Sequence, residues 1–206
     1  MDRIPKIFVI NLPHRTDRLE SIKRELERMG LLHKMEIVEG VVIDVGALGT
    51  AGVAEARARC LDIAKDRGYE MIMILEDDCK FLFDKERVHS EIESFLNTAP
   101  PDWNGLWFGS FYHWTTPSDV NWTTTLGIIQ DTATIIHSRF YSQLTHIYRM
   151  CRDKYIETQD ELYNTDNWLL ENKVKIYALK TKLCAQADCY SDRTLRGMHG
   201  GASIPL

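Results

Sequence analysis

The sequence predicts an α/β fold in which helices flank a mainly parallel sheet. Two short apolar runs, 6–12 and 70–75, have the character of strands buried on both faces. Helix-like segments stand between the apolar runs, and this strand–helix–strand alternation is typical of an α/β sheet. The 206 residues can bury a sizeable core, and no linker or repeat divides them, so we expect a single domain over 1–206.

The first strand, 6–12, is ended by Pro13, and a helix is expected directly after it. Asp17 and Glu20 fit a capping box at the helix start, and Gly30 supplies the stop. An apolar stripe at 3–4-residue spacing predicts the buried face, formed by Leu19, Ile22, Leu26 and Met29.

The rest of the chain continues the alternation. The glycine pair in Gly49-Thr50-Ala51-Gly52 is weak by itself as a phosphate loop. The expected order is one or two strands over 35–45, a helix over 53–66, a strand over 70–78, a helix over 84–97, a strand at 106–108, a loop over 111–125, a strand over 127–137, a helix from Phe140 to Cys151, a short helix opening at Asp166, and a strand over 174–179.

Bulk composition excludes some classes of protein. With 25 Lys and Arg against 30 Asp and Glu, the net charge of −5 argues against a nucleic-acid binder driven by charge. The five cysteines are scattered without CxxC spacing, so neither a zinc site nor a disulfide framework is indicated, and reduced thiols favour a cytoplasmic location. We find no transmembrane segment or signal peptide in the sequence.

Three carboxylates, Glu76, Asp77 and Asp78, follow the apolar run at 70–75. Ligand sites of parallel sheets lie at the carboxyl ends of the strands, where such charges need partners. Carboxylates are hard ligands for Mg²⁺ or Mn²⁺, which bridge substrate phosphates. Side-chain alternation predicts that Glu76 and Asp78 share one direction and that Asp77 points the other way. The alternative is an acidic turn that caps the next helix.

Polar side chains also follow the first strand. Asn11, Arg15 and Arg18 would lie at the nucleotide-binding edge of such a sheet. The Arg15 guanidinium can hold a diphosphate as a fork of donors. The alternative is that Arg15 and Arg18 are solvated charges at the start of the helix.

Several segments together resemble glycosyltransferase family 25, the lipooligosaccharide and collagen galactosyltransferase group. The segment 8–19 resembles its opening Asn-Leu-x-x-Arg-x-Asp-Arg signature, and Gly49–Gly52 resembles its glycine turn before a helix. The segment 74–78 resembles its Leu-Glu-Asp-Asp metal motif. The segments 165–168 and 176–179, Gln186 and 191–192 resemble its C-terminal pattern. Glu55, Ala56 and Arg57 depart from the family, which often has Leu-Ser-His there.

The resemblance implies a GT-A fold with a Rossmann-like sheet, a UDP-galactose or UDP-glucose donor, Mn²⁺ (or Mg²⁺) and transfer with inversion to a glycan or hydroxylated acceptor. Asp78 is then expected to bind the metal directly, with Glu76 on ribose or metal and Asp77 beside the nucleotide. His199 is a candidate for completing the metal shell, as a late His does in some GT-A enzymes. The alternatives are a catalytically inactive sugar- or nucleotide-binding relative and another nucleotide-using transferase.

Inverting transfer needs one general base for the acceptor hydroxyl, and Asp166 is the candidate. Asp at such a position is usually a helix N-cap, and the two roles can coexist. Asp160 and Glu161 are nearby competitors. His113, Trp114 and Trp122 offer flat faces for stacking on a sugar acceptor, and a partly packed loop is the alternative.

Overall fold

The computed structural model describes residues 1–43, 49–112, 118–125, 128–129, 131–187, 189–191 and 196–198, and the fold is given for these residues. A seven-stranded sheet forms its centre. In spatial order its strands are β2 (Met35–Glu39), β1 (Ile7–Asn11), β3 (Met71–Glu76), β9 (Ala133–His137), β5 (Gly105–Trp107), β10 (Ile176–Leu179) and β7 (Trp122–Thr125). β9 and β7 pair antiparallel with their neighbours, and the other five strands are parallel. The mainly parallel sheet is therefore confirmed.

Helices cover both faces of this sheet. In the described residues they are α1 (Thr16–Arg28), α2 (Thr50–Asp66), α3 (Lys85–Thr98), α4 (Ser138–Thr158) and α5 (Thr165–Glu171). Three small two-stranded sheets complete the described part, pairing β4 (Cys79–Phe81) with β11 (Cys184–Gln186), β6 (Phe111–Tyr112) with β8 (Ile128–Ile129), and β12 (Cys189–Ser191) with β13 (Arg196–Met198).

The strands β1 and β3 bury side chains on both faces, which explains their uninterrupted apolar sequence. Ile7 and Val9 pack in the core on the α1 and α3 side, and Phe8 packs on the α2 and α4 side. In β3 the same alternation places Met73 on the first side and Ile74 on the second. The last residues of these strands therefore emerge toward two different helix layers.

The starts of α1 and α5 differ from the sequence expectation. Arg15 is the N-cap of α1 and no side-chain oxygen caps it, so the predicted Asp17–Glu20 capping box is wrong. Asn164, whose side chain accepts from the backbone N–H of Asp166, is the N-cap of α5, so Asp166 lies inside the first turn. Asp84, the first residue of the predicted helix over 84–97, is the N-cap of α3 and accepts from the N–H of Arg87.

The segment 111–125, expected to be a loop, contains β6 and β7. Trp122 opens β7 and packs edge-on against Phe95 and Tyr177, with ring centroids 5.9 and 5.6 Å apart. Its indole N–H donates to Thr98 Oγ1 at 2.9 Å. Trp122 is thus partly packed, and its stacking on a sugar stays a prediction. His113 and Trp114 lie outside the described residues.

The glycine pair at the start of α2 has a packing role. Gly49 caps the helix at a φ of +55°, a left-handed conformation that glycine adopts at little cost. A Cβ on Gly52 would stand 1.9 Å from the carbonyl oxygen of Val41. Only glycine therefore lets the first turn of α2 approach the backbone that follows β2, and α2 begins three residues before its predicted start.

None of the helices in the described residues has the length and apolar composition needed to cross a bilayer. Cys60, Cys79, Cys151 and Cys184 are buried free thiols. This agrees with the expectation of reduced cysteines at those four positions.

Candidate functional site

Polar residues collect where β1 and β3 end side by side. Ile10 pairs with Glu76 in the register of the two strands, so Asn11 and Glu76, the last residues of β1 and β3, share one edge. The backbone N–H of Glu76 donates to the carbonyl of Thr132, just before β9. Because β9 is antiparallel, its amino end reaches the same edge and adds Asp131 to it.

Asp77 is held from the α1 side. Asn11 Nδ2 donates to Asp77 Oδ2 at 2.7 Å, and Arg18 Nη1 donates to Asp77 Oδ1 at 2.9 Å. Asn11 Nδ2 also donates to the carbonyl of Arg15 at 3.1 Å, which ties β1 to the start of α1. Burial raises the pKa of Asp77, while Arg18 and Asn11 oppose the rise. The predicted residues Asn11, Arg18 and Asp77 therefore form one hydrogen-bonded network.

One carboxylate oxygen of Asp78 receives no hydrogen bond from the network of Asn11, Arg18 and Asp77. Arg18 Nη1 lies 3.4 Å from Asp78 Oδ2, whereas Oδ1 is buried without a hydrogen-bond partner. Burial and the Glu76 charge raise the pKa of Asp78 to about 7, with Arg18 opposing. The backbone carbonyl of Asp78 accepts from the N–H of Ala187 at 2.7 Å. This arrangement leaves a buried carboxylate oxygen available for a ligand.

The expected alternation holds for Glu76 and Asp77 but not for Asp78. Glu76 turns to the α2 side, where Arg57 Nη2 lies 3.2 Å from its Oε1, and Asp77 turns to α1. β3 ends at Glu76, so strand alternation no longer governs Asp78. Asp78 consequently shares Arg18 with Asp77 instead of facing the same way as Glu76.

Glu76 is held on both carboxylate oxygens. Arg57 occupies Oε1, and Gln186 Nε2 donates to Oε2 at 3.1 Å. Gln186 is the last residue of β11, which pairs with β4 immediately after the acidic turn. The small β4–β11 sheet thus positions Gln186 against the Glu76 carboxylate.

Sequence reasoning missed the buried pair of Arg57 and Asp131. Arg57 Nη1 lies 2.8 Å from Asp131 Oδ2, and Arg57 Nη2 also donates to the Asp131 carbonyl. The available signal was an arginine within the alanine-rich face of α2, where a charge can be buried only with a partner. The position of Asp131 had no sequence signal, because it depends on the direction of β9.

Arg15 lies next to the network but turns its guanidinium toward Asp17. Nε and Nη2 of Arg15 donate to the two oxygens of Asp17 at 2.9 and 2.8 Å. This fork of hydrogen bonds lowers the pKa of Asp17. A contact of Arg15 with a diphosphate stays a prediction.

Asp166 lies in the first turn of α5, and its carboxylate interacts electrostatically with the buried Arg57 and Asp131. Its carboxylate acts to raise the pKa of both Arg57 and Asp131, although burial is the largest influence on each. Asp160 accepts from the N–H of Leu162, and Glu161 accepts from the Tyr155 hydroxyl. Of the three acids considered for the base, Asp166 is the one that acts electrostatically on Arg57 and Asp131.

A ready-made metal cage is absent from the part of the chain that the structure describes, since no three His, Cys, Asp or Glu side chains converge there. His199 lies outside the described residues. The donor set at Asp78 accordingly fits a cation that takes one protein carboxylate and draws its other ligands from water and a substrate phosphate. Metal binding by Asp78, Glu76 and His199 stays a prediction.

Comparison with known proteins gives a likeness of fold. No protein-family model and no curated protein matches the chain, so membership of glycosyltransferase family 25 is not confirmed. The chain is similar to mannose-1-phosphate geranyltransferase from Thermus thermophilus, with a TM-score of 0.52, 10% identity, and coverage of 88% of this chain and 75% of that one. It also matches a glycosyltransferase involved in the glycosylation of the major capsid of PBCV-1, with a TM-score of 0.47, 14% identity, and coverage of 77% and 75%. The chain therefore has the Rossmann-like, mainly parallel fold of the first of these transferases.

Proposed function

We propose that this chain is a metal-dependent inverting hexosyltransferase that moves galactose or glucose from a UDP-sugar to an acceptor hydroxyl. The observation that carries the proposal is the buried Asp78 Oδ1, which lacks a hydrogen-bond partner at the carboxyl edge of a parallel sheet. A buried acceptor without a donor costs free energy, so its presence indicates a ligand at that point. Ligands of such sheets bind at this edge.

Asp78 is the residue proposed to hold the divalent cation, Mn²⁺ or Mg²⁺. Both oxygens of Glu76 and both oxygens of Asp77 already accept hydrogen bonds, which leaves Asp78 Oδ1 as the free oxygen of the three-acid turn. The cation would neutralise the charge that the UDP leaving group gains. Glu76 is proposed to contact the ribose.

The donor is proposed to lie along β1 and α1. Arg18 sits within 3.4 Å of Asp78, so its guanidinium adds positive charge beside the place proposed for the diphosphate. Asn11 fixes Asp77, which in turn orients Arg18 through the bond to its Nη1. The Asp17 side chain that binds Arg15 is mostly exposed. The Arg15 guanidinium is proposed to leave Asp17 and bind a phosphate of the donor.

Asp166 is proposed to take the proton from the acceptor hydroxyl. The hydroxyl oxygen then forms a bond to the anomeric carbon, the bond from that carbon to UDP breaks, and its electron pair leaves with UDP. A single displacement inverts the configuration at the sugar carbon and needs one base within hydrogen-bond reach of the attacking group.

The proposal is tested by calorimetric titration of UDP with and without MnCl₂, using the wild type, Asp78→Asn and the control Asp153→Asn. Asp153 is an exposed carboxylate paired with Arg152. We expect Mn²⁺ to strengthen UDP binding to the wild type and the control but not to Asp78→Asn. An enhancement retained by Asp78→Asn would contradict the metal assignment.

A donor screen that measures UDP release across nucleotide sugars then tests the reaction. Release from UDP-galactose or UDP-glucose that increases with acceptor supports a transferase. UDP binding without release from any donor would favour the inactive, sugar-binding alternative instead. Release of diphosphate from a nucleoside triphosphate would favour a nucleotidyltransferase.

A further inference from the structure

Glu76 is held from two directions but stays partly open to solvent at the sheet edge. Arg57, whose side chain is 2% exposed, approaches Oε1 from the interior at 3.2 Å, and Gln186 Nε2 donates to Oε2 at 3.1 Å. The Glu76 side chain itself is 23% exposed. The two oxygens of an ionised carboxylate have about four lone-pair sites, so two bonds leave room for further donors. The open side of Glu76 can therefore accept a hydrogen bond from a ligand at this edge.

The orientation of the Gln186 amide follows from its partner. An ionised carboxylate only accepts, so the amide atom that faces Glu76 must be Nε2, and Oε1 of Gln186 points elsewhere. Backbone contacts fix this end of β11, since Gln186 pairs with Cys79 of β4 and the N–H of Ala187 donates to the Asp78 carbonyl at 2.7 Å. Gln186 is only partly buried. Its Oε1 is thus a second acceptor, held next to Glu76 on a side chain that solvent can reach.

These two acceptors lie beside the cation site proposed at Asp78. Asp78 follows the end of β3 at Glu76 by two residues, and the bond from the Ala187 N–H holds β11 against the same turn. A nucleoside diphosphate whose phosphates are bound through a cation at Asp78 brings its ribose to this turn, because ribose and phosphate are joined by one ester bond. Ribose carries its 2′ and 3′ hydroxyls on adjacent carbons, and each can donate one hydrogen bond. Two neighbouring acceptors therefore match the two ribose hydroxyls.

We propose that Gln186 Oε1 accepts a hydrogen bond from one ribose hydroxyl of the donor nucleotide while Glu76 accepts from the other, which makes Gln186 a specificity-determining residue for ribonucleotides. This role of Gln186 rests on the proposed function, which places UDP at this edge. An amide oxygen and a carboxylate have nothing to bind at a ribose carbon that carries hydrogen in place of the hydroxyl, so a deoxynucleotide leaves one acceptor without its donor. The site therefore selects UDP over its 2′-deoxy and 3′-deoxy forms.

The test measures by calorimetry the Kd of UDP, 2′-deoxy-UDP and 3′-deoxy-UDP, each with MnCl₂. The proteins are the wild type, Gln186→Met and the control Gln143→Met, which changes an exposed glutamine of α4. For the wild type and the control we expect each deoxynucleotide to bind more weakly than UDP by about 3-fold or more, as for one lost hydrogen bond. Gln186→Met should bind UDP and one of the deoxynucleotides equally, namely the one that lacks the hydroxyl bound by Gln186. The other deoxynucleotide should still bind more weakly, because the Glu76 contact remains.

Equal affinity of the wild type for all three nucleotides would overturn the ribose contact while leaving the proposed function standing, since UDP is still bound. The same holds if Gln186→Met changes both discrimination ratios together or neither, because a residue that only supports Glu76 gives that pattern. Failure of the wild type to bind UDP would remove the proposed function and the ribose contact with it. If Gln186→Met does not fold, Gln186→Asn takes its place. Its amide is one methylene shorter, so it must lose the discrimination at the same single hydroxyl, and unchanged ratios would contradict the contact.

Discussion

Replacing Arg57 by Met is the sharpest test of how the site is built. Met keeps an unbranched side chain of similar length but leaves Glu76 and Asp131 without their shared cation. Breaking a buried ion pair on one side costs about 3–5 kcal/mol, because the remaining charge stays buried and unpaired. Since a domain of this size loses about 2–4 °C of Tm per kcal/mol, we expect Tm to fall by about 6–20 °C.

The matched control is Arg149→Met, which removes a partly exposed arginine that pairs with Asp62 and Glu55. Exposed pairs are worth about 1 kcal/mol or less, so this variant should lose only a few degrees of Tm. Urea unfolding followed by circular dichroism gives the free energies of unfolding of all three proteins.

The pH dependence of the free energy of unfolding separates the loss of the Arg57 charge from the loss of its packing. Burial raises the pKa of folded Asp131, and Arg57→Met removes the cation that opposes the rise. In the wild type this pKa is already raised to about 7, so the variant value lies above 7. Between the two values the folded variant holds a proton that the folded wild type does not, so the variant gains free energy of unfolding relative to the wild type as the pH falls through that window. We expect the gap between wild type and Arg57→Met to shrink as the pH falls toward about 7 and to change little below it. A gap that does not change with pH, or is no larger than that of Arg149→Met, would refute the reasoning.

Two further predictions concern the acceptor side and the first turn of α2. Asp166→Asn should keep Mn²⁺-dependent UDP binding and lose transfer, because the amide cannot accept the acceptor proton; full transfer activity in a UDP-release assay would exclude the base role. Gly52→Ala should destabilise the fold by more than Gly68→Ala, since its Cβ would stand 1.9 Å from the Val41 carbonyl oxygen, whereas a Cβ on Gly68 meets no atom within 4 Å. Gly68 has a φ of +66°, so Gly68→Ala carries only the conformational cost of about 1 kcal/mol, and equal losses in urea unfolding would contradict the clash.

The alternation of buried strands and amphipathic helices could be predicted because each pattern is local. The apolar run at 71–75 needs cover on both faces, and the structure supplies α1 and α3 on one side and α2 and α4 on the other. Helix ends were predicted less well. The cap of α1 depended on the geometry of the backbone after β1 rather than on the side chains of Asp17 and Glu20.

The residues of the candidate site also fall into those that the sequence predicted and those that it did not. Asn11 and the three acids lie at the ends of apolar strands and Arg18 lies in the helix after the first one, so their shared position at the sheet edge could be predicted from the sequence. Arg57 and Asp131 were not, because they are 74 residues apart and meet only through the placement of α2 and the antiparallel direction of β9. Trp122 was expected in a loop, and its place in β7 had no local signal because its neighbours Phe95 and Tyr177 come from distant elements.

The sequence by itself therefore determined that Asn11, Arg18 and the three acids of the turn at 76–78 reach this edge of the sheet. Only the tertiary structure decided which oxygen of those carboxylates is left unfilled. Local sequence sets the order of strands and helices through periodicity, but hydrogen-bond satisfaction depends on side chains brought together from separate elements. Asp78 Oδ1 became distinct from the oxygens of Glu76 and Asp77 only when Arg18, Arg57 and Gln186 had bound those.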